Sequence, residues 1–253
     1  MKTRTISTIF LSLFLLASSI AGQAQTTPEA LLARLPAVPT INCAADTSEV
    51  NRFTERIYEV KSMIQAEVDR IHASAKSDIV AGDIGDLGID AQSSQKLYKL
   101  ATEQNEIGDR ITERMTRISN LFVAIEMKDT MATKELKVQM KPWEEQLCSG
   151  ICTPAEVARS NAAEKQIYAL KIKYCEKMSP LQKDAITQYL TTLKGLFADY
   201  RRLADVQNET IKMMKVGEIV PKDLSCYTAL DEYATALLDS YKYWVGKSAI
   251  TIL

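Results

Sequence analysis

Cys148-Ser-Gly-Ile-Cys152-Thr-Pro-Ala-Glu156 holds a turn and, directly after it, the start of a helix. Thr153 stands as N-cap, Pro154 at the first helical position and Glu156 three residues past the cap, so side-chain oxygens can take up orphan backbone N–H groups. Two cysteines bracket the Ser-Gly-Ile turn and can staple it to another part of the chain. The stretch therefore separates two helical halves, and the rest of the chain is read outward from it.

On the N-terminal side, Asp46 or Thr47 followed by Glu49 marks a helix start. Val50, Phe53, Ile57, Val60, Ile64, Val68, Ile71, Ala75 and Ile79 then recur at steps of three and four, the spacing of one helix face. The spacing predicts a helix over 47–80, roughly 50 Å long. It ends in Ala81-Gly-Asp-Ile-Gly-Asp-Leu-Gly-Ile-Asp90, where glycine and aspartate are the ordinary chemistry of a turn. Asp83, Asp86 and Asp90 also gather oxygen ligands that suit a hard cation such as calcium, although not in the EF-hand spacing. A second helix is predicted over 91–128. Its seam, Leu97, Leu100, Gln104, Ile107, Ile111, Arg114, Ile118, Leu121 and Ile125, is that of a coiled coil interrupted by two polar positions. Two such helices joined by a short loop pack antiparallel. Residues 134–141 carry a strand-like alternation in Leu136, Val138 and Met140, with continuation of helix two through Met127, Met131 and Leu136 as the alternative, and Pro142 opposes a regular helix through this point.

On the C-terminal side, a third helix is expected from Pro154 to about Met178. Ser179-Pro-Leu-Gln182 repeats the cap, proline and third-position pattern of Thr153, which marks either a new helix or a kink inside one very long helix; the capping pattern favours a new helix, running to about Lys215. After a linker ending at Cys226, a last helix over 225–246 sets Tyr227, Leu230, Ala234, Leu237, Tyr241 and Trp244 on one face. With Tyr233 and Tyr243 added, its aromatics either fill the core or line a face for a ligand or partner. The methionines at 127, 131, 140, 213 and 214 are either gap-filling core or a soft surface patch. The fold class is all-α: an elongated up-down bundle of four to five long helices, stapled by disulfides, with a short strand-like segment near 134–141.

Residues 1–24 have the form of a signal peptide: Lys2 and Arg4, the apolar run Ile9 to Ala17, then Ala21, Gly22 and Ala24 before a cleavage point. That run is too short to span a bilayer, which takes about 20 residues, and no later stretch is apolar enough. Residues 25–45, with Pro28, Pro36 and Pro39, read as an extended leader, and 46–253 as a single helical-bundle domain. The expected location is secreted or periplasmic, in a bacterial cell.

The chain has 31 basic and 32 acidic residues; losing Lys2 and Arg4 leaves 29 against 32, a net charge near −3. Nucleic-acid binding, which calls for a basic excess, is not expected. In an oxidising compartment five cysteines make two pairs and leave one over. If the helices alternate in direction, Cys43, Cys148, Cys152 and Cys226 meet at one end, so both disulfides are expected among these four. Cys175 is then the free, buried thiol.

No catalytic constellation appears. His72 is the one histidine, which rules out the paired Glu-x-x-His motifs of a di-iron bundle. The cysteines lack zinc-site spacing and Cys-x-x-Cys, and no phosphate loop or nucleophile elbow is present. The expectation is a non-enzymatic extracytoplasmic module for protein–protein interaction or structure, with an unidentified protein partner or a second copy of itself. The alternative is a small-ligand or divalent-cation binder, using loop 82–90 or the aromatic face Tyr227, Tyr233, Tyr241, Tyr243 and Trp244, with calcium as the candidate cofactor.

Overall fold

The computed structural model describes residues 25–38, 43, 47–75, 79–80 and 90–248. Residues 1–24 and the loop carrying Asp83 and Asp86 lie outside them. In chain order the elements are α1 (Pro28–Leu32), α2 (Thr47–Ala75), β1 (Ile79–Val80), α3 (Ala91–Glu144), α4 (Pro154–Met214), β2 (Gly217–Glu218) and α5 (Leu224–Ser248). The protein is an all-α bundle. The two short strands pair antiparallel, Ile79 opposite Glu218 and Val80 opposite Gly217.

α4 and α5 are the helices the others pack against. α5 lies between α4 and α2, and α3 lies against α4. Cross-helix pairs give the directions. Phe53 and Lys61 of α2 meet Tyr241 and Asp231 of α5, so α2 and α5 are antiparallel. Gln182 and Phe197 of α4 meet Ser240 and Cys226 of α5, and Arg114 of α3 meets Asp199 of α4, so these pairs are antiparallel too. Burial on two sides explains why Leu230, Tyr233, Ala234, Leu237, Leu238 and Tyr241 are all in the core. The seam predicted for α2 is kept, with Phe53, Ile57, Val60, Ile64 and Ile71 buried. At roughly 1.5–3 kcal/mol for each large apolar side chain buried, this shared core holds the bundle together.

Four expectations are corrected. Residues 134–141 are helical, because α3 continues unbroken to Glu144. Leu136 packs beside Ala132, Tyr174 and Met178 while Val138 is exposed, which is how a helix with a single neighbour produces a short alternation. Pro142 lies in the last turn, where it removes one hydrogen bond and has little helix left to disturb.

α4 is one helix of 61 residues with Pro180 inside it, about 90 Å long. Ser179 and Gln182 do not cap anything. Both are buried, and Gln182 Nε2 donates to Ser240 Oγ of α5 at 2.6 Å. Packing against α3 on one side and α5 on the other carries the helix unbroken through a start signal.

The cysteine pairing follows from that continuity. An unbroken α4 carries Cys226 to the far end, away from Cys148 and Cys152. Cys43 pairs with Cys175 (Cα–Cα 5.9 Å) and Cys148 with Cys152 (6.4 Å), both within the span of a disulfide, and Cys226 is the free, buried cysteine. Burial pushes its thiol up to about 12.

Finally, the leader is not extended throughout. Thr27 caps α1 with Pro28 at its first turn, the same signature as at Thr153, and Leu31 is fully buried in the core. Tyr227 Oη donates to the Thr26 carbonyl at 2.6 Å and Arg201 pairs with Glu29, so this segment is strapped across α2, α4 and α5.

Candidate functional site

The two longest helices outrun the bundle. Asp129 of α3, Tyr174 of α4 and Tyr243 of α5 meet at one level, where both tyrosine hydroxyls donate to the Asp129 carboxylate. The Cys43–Cys175 bridge fastens the start of α2 at the same height. Beyond it, α5 ends at Ser248 within about 8 Å, whereas α3 runs on for about 22 Å to Glu144. Among the described residues, α3 and α4 alone form this arm.

Small residues let the arm's two helices approach. Ala132 is buried against Tyr174 and Met178, and Ala163 and Ile167 are buried nearer the tip. Thr133 Oγ1 is 3.1 Å from Tyr174 Oη, and Lys177 reaches Glu135 at 3.4 Å on the surface. At the tip, Thr153 and Glu156 make the full capping box, and the Cys148 N–H donates to the Ser160 hydroxyl at 3.2 Å.

Four exposed apolar side chains line up along α3 as it passes from the bundle onto the arm. Val123, Met127 and Met131 follow at steps of four, and Val138 comes seven residues later, so at 3.6 residues per turn they share one face of α3. They are 50%, 66%, 66% and 74% exposed. Met127 and Met131 each stand two residues from Asp129, which points into the bundle, so the row faces away from α4 and α5. Ile151 at the tip is fully exposed.

The residues singled out in the sequence fall elsewhere. Asp90 is the N-cap of α3; its carboxylate accepts from the Ser93 N–H at 2.6 Å, which holds its pKa below the usual carboxylate value. Asp83 and Asp86 are outside the described residues, and among those described no three metal-ligating side chains converge. Among the described side chains, the aromatic residues of α5 do not form an open face. Tyr227 and Tyr233 are buried, Tyr233 edge-on to Tyr189 at 5.3 Å, and Tyr241 packs on Phe53 at 4.2 Å. Burial pushes Tyr233 up to about 12. Tyr243 is partly exposed but engaged with Asp129. The Trp244 side chain lies outside the described residues.

Comparison with protein-family models, curated proteins and solved structures finds no match. The reading of the site therefore rests on its geometry. Of the residues in the row, Met127 and Met131 read in the sequence as either core or a soft patch, and Val138 as part of a strand-like alternation. Val123 belongs to none of those patterns, although steps of four and seven link the two valines to the methionines opposite the buried seam.

Proposed function

We propose that the chain is a non-enzymatic extracytoplasmic helical-bundle protein that works as an interaction module, offering its two-helix arm to a protein partner. The observation that carries this reading is the exposed row Val123, Met127, Met131 and Val138, which runs along α3 from the bundle onto the arm that projects past the core. Apolar side chains gathered on one exposed face mark contact surfaces, and methionine adapts to the shape laid against it. Lys128 and Glu135 flank the row as a polar rim, and Lys134 falls on the same face between Met131 and Val138. The surface suits an amphipathic helix of the partner, anchored at i, i+4 and i+7 positions. The signal-like first 24 residues support export, and two cysteine pairs at disulfide distance agree with an oxidising compartment.

The test is site-specific photo-crosslinking in the producing cell. A crosslinker at Met131 or Val138 is expected to yield one reproducible protein adduct that is lost when Met127→Glu is added, while a crosslinker at exposed Tyr98 on the bundle yields none. A homodimer adduct would assign the row to a second copy. No adduct at the arm, or the same adducts from Tyr98, would overturn the reading.

A further inference from the structure

The two sulfurs at the arm's tip play no part in the apolar row, and their surroundings differ from those of the inner pair. We propose that Cys148–Cys152 is a thiol-exchange site, opened and reclosed by an external dithiol while Cys43–Cys175 stays shut. Three observations carry the inference independently of the partner-binding reading.

The first is access. Cys148 and Cys152 are themselves partly exposed, with Ser149, Gly150 and Ile151 exposed between them, whereas Cys43 and Cys175 are 7% and 0% exposed. Exchange requires a thiolate to reach a disulfide sulfur, so the inner pair must wait for the bundle to open and the tip pair need not.

The second is that opening the tip costs little structure. α3 ends at its own cap, where the Glu145 N–H donates to the Lys141 carbonyl, and α4 begins at the Thr153–Glu156 capping box. Chain reversal is carried by Gly150 at φ +100°, a conformation that favours glycine, and the Cys148 N–H stays tied to buried Ser160. The thiols are therefore kept close enough to reclose.

The third is the electrostatic setting of the leaving group. Cys152 immediately precedes the N-cap of α4, and Arg159 lines the same shallow dent as both sulfurs, with Glu145 and Glu156 as the opposing charges. The N-terminus of α4 favours a thiolate at Cys152, while the two carboxylates offset the single guanidinium.

The exchange runs in two steps. A thiolate of the dithiol bonds to Cys148 Sγ; the Cys148–Cys152 bond breaks with its electron pair on Cys152 Sγ, which takes a proton from solvent. The dithiol's second thiol then loses its proton and attacks the mixed disulfide, releasing Cys148 as a thiol and leaving the reagent as a cyclic disulfide. Two electrons and two protons pass to the protein, and the dithiol is oxidised.

The experiment treats the folded protein with dithiothreitol, traps thiols with N-ethylmaleimide at intervals and maps the labelled peptides. Cys148 and Cys152 are expected to label at least tenfold faster than Cys43 and Cys175, with the helical circular dichroism unchanged. The C152S variant, incubated with oxidised glutathione, is expected to gain one glutathione on Cys148 and none on Cys226. Equal rates for the two pairs, faster opening of the inner pair, or loss of helical signal as the tip opens would overturn the proposal.

Discussion

Removing the Cys43–Cys175 bridge tests the architecture at the point where an expectation from spacing failed. The bridge spans 132 residues, and on the chain-entropy model a crosslink of that length stabilises by about 5 kcal/mol at 25 °C. The tip bridge spans 4 residues, for which the same relation gives about 2 kcal/mol. The inner pair also joins the start of α2 to the middle of α4, so its loss leaves that end of the bundle held by Phe53 against Tyr241 and by the Asp129 cluster. The C43A/C175A variant should therefore lose about 3 kcal/mol more than C148A/C152A. In a chain of this size that corresponds to a difference in Tm of about 6–12 °C. Urea unfolding followed by circular dichroism gives both values, and constant slopes would show that the difference lies in stability rather than in denatured-state compactness. Buried Cys226, its thiol pushed up to about 12, should resist alkylation at pH 8 in every folded variant. Equal losses from the two double variants, or a mapped peptide joining Cys226 to any other cysteine, would refute the pairing and the continuous α4 on which it depends.

Two further outcomes follow from single contacts. Pro180→Ala should raise stability by about 1–3 kcal/mol in thermal melts, since an exposed proline inside a helix forfeits a hydrogen bond that alanine restores; no change, or destabilisation, would mean that Ser179-Pro180 starts a helix after all. Acid should release the N-terminal strap. The Arg201 guanidinium holds Glu29 below 4.5, so its contribution is fully present above that pH and is lost as pH falls through the lower folded value. Hydrogen-exchange protection of the Leu31 amide should fall with it in the native chain, and an E29Q variant showing the same acid loss would sink the assignment.

How far the sequence could be read depended on how many neighbours each segment has. α2 and α5 touch the core along a full face, so Phe53, Ile57, Val60 and Ile64, or Leu230, Ala234 and Leu237, sort at steps of three and four without ambiguity. On the arm each helix has a single partner, and the buried set thins to Ala132, Ala163 and Ile167. The apolar residues left over were then open to misreading, as the alternation around Val138 shows. Local start signals misled for a different reason. Thr27-Pro28, Thr153-Pro154 and Ser179-Pro180 share one chemistry, yet two begin helices and the third lies in the middle of one. What separates them is non-local: Ser179 and Gln182 are buried between α3 and α5, and a capping serine must have backbone N–H groups left free to bind.

That same non-local packing decides where the arm begins. α5 stops at Ser248 and α2 starts at Thr47, close to the bridge at Cys175, so two helices end where two continue. The Asp129 carboxylate, taking hydroxyl donors from α4 and α5 together, marks the level at which a four-helix bundle gives way to a two-helix one. Below it, apolar residues of α3 such as Ile118 are covered by the shared core; above it, one face of α3 has no neighbour among the described residues. Methionine and valine on that face gain nothing from the fold itself. Lysine or glutamate there would keep the helix equally well and better in water. The exposed methionines and valines are what the proposed partner contact would cover.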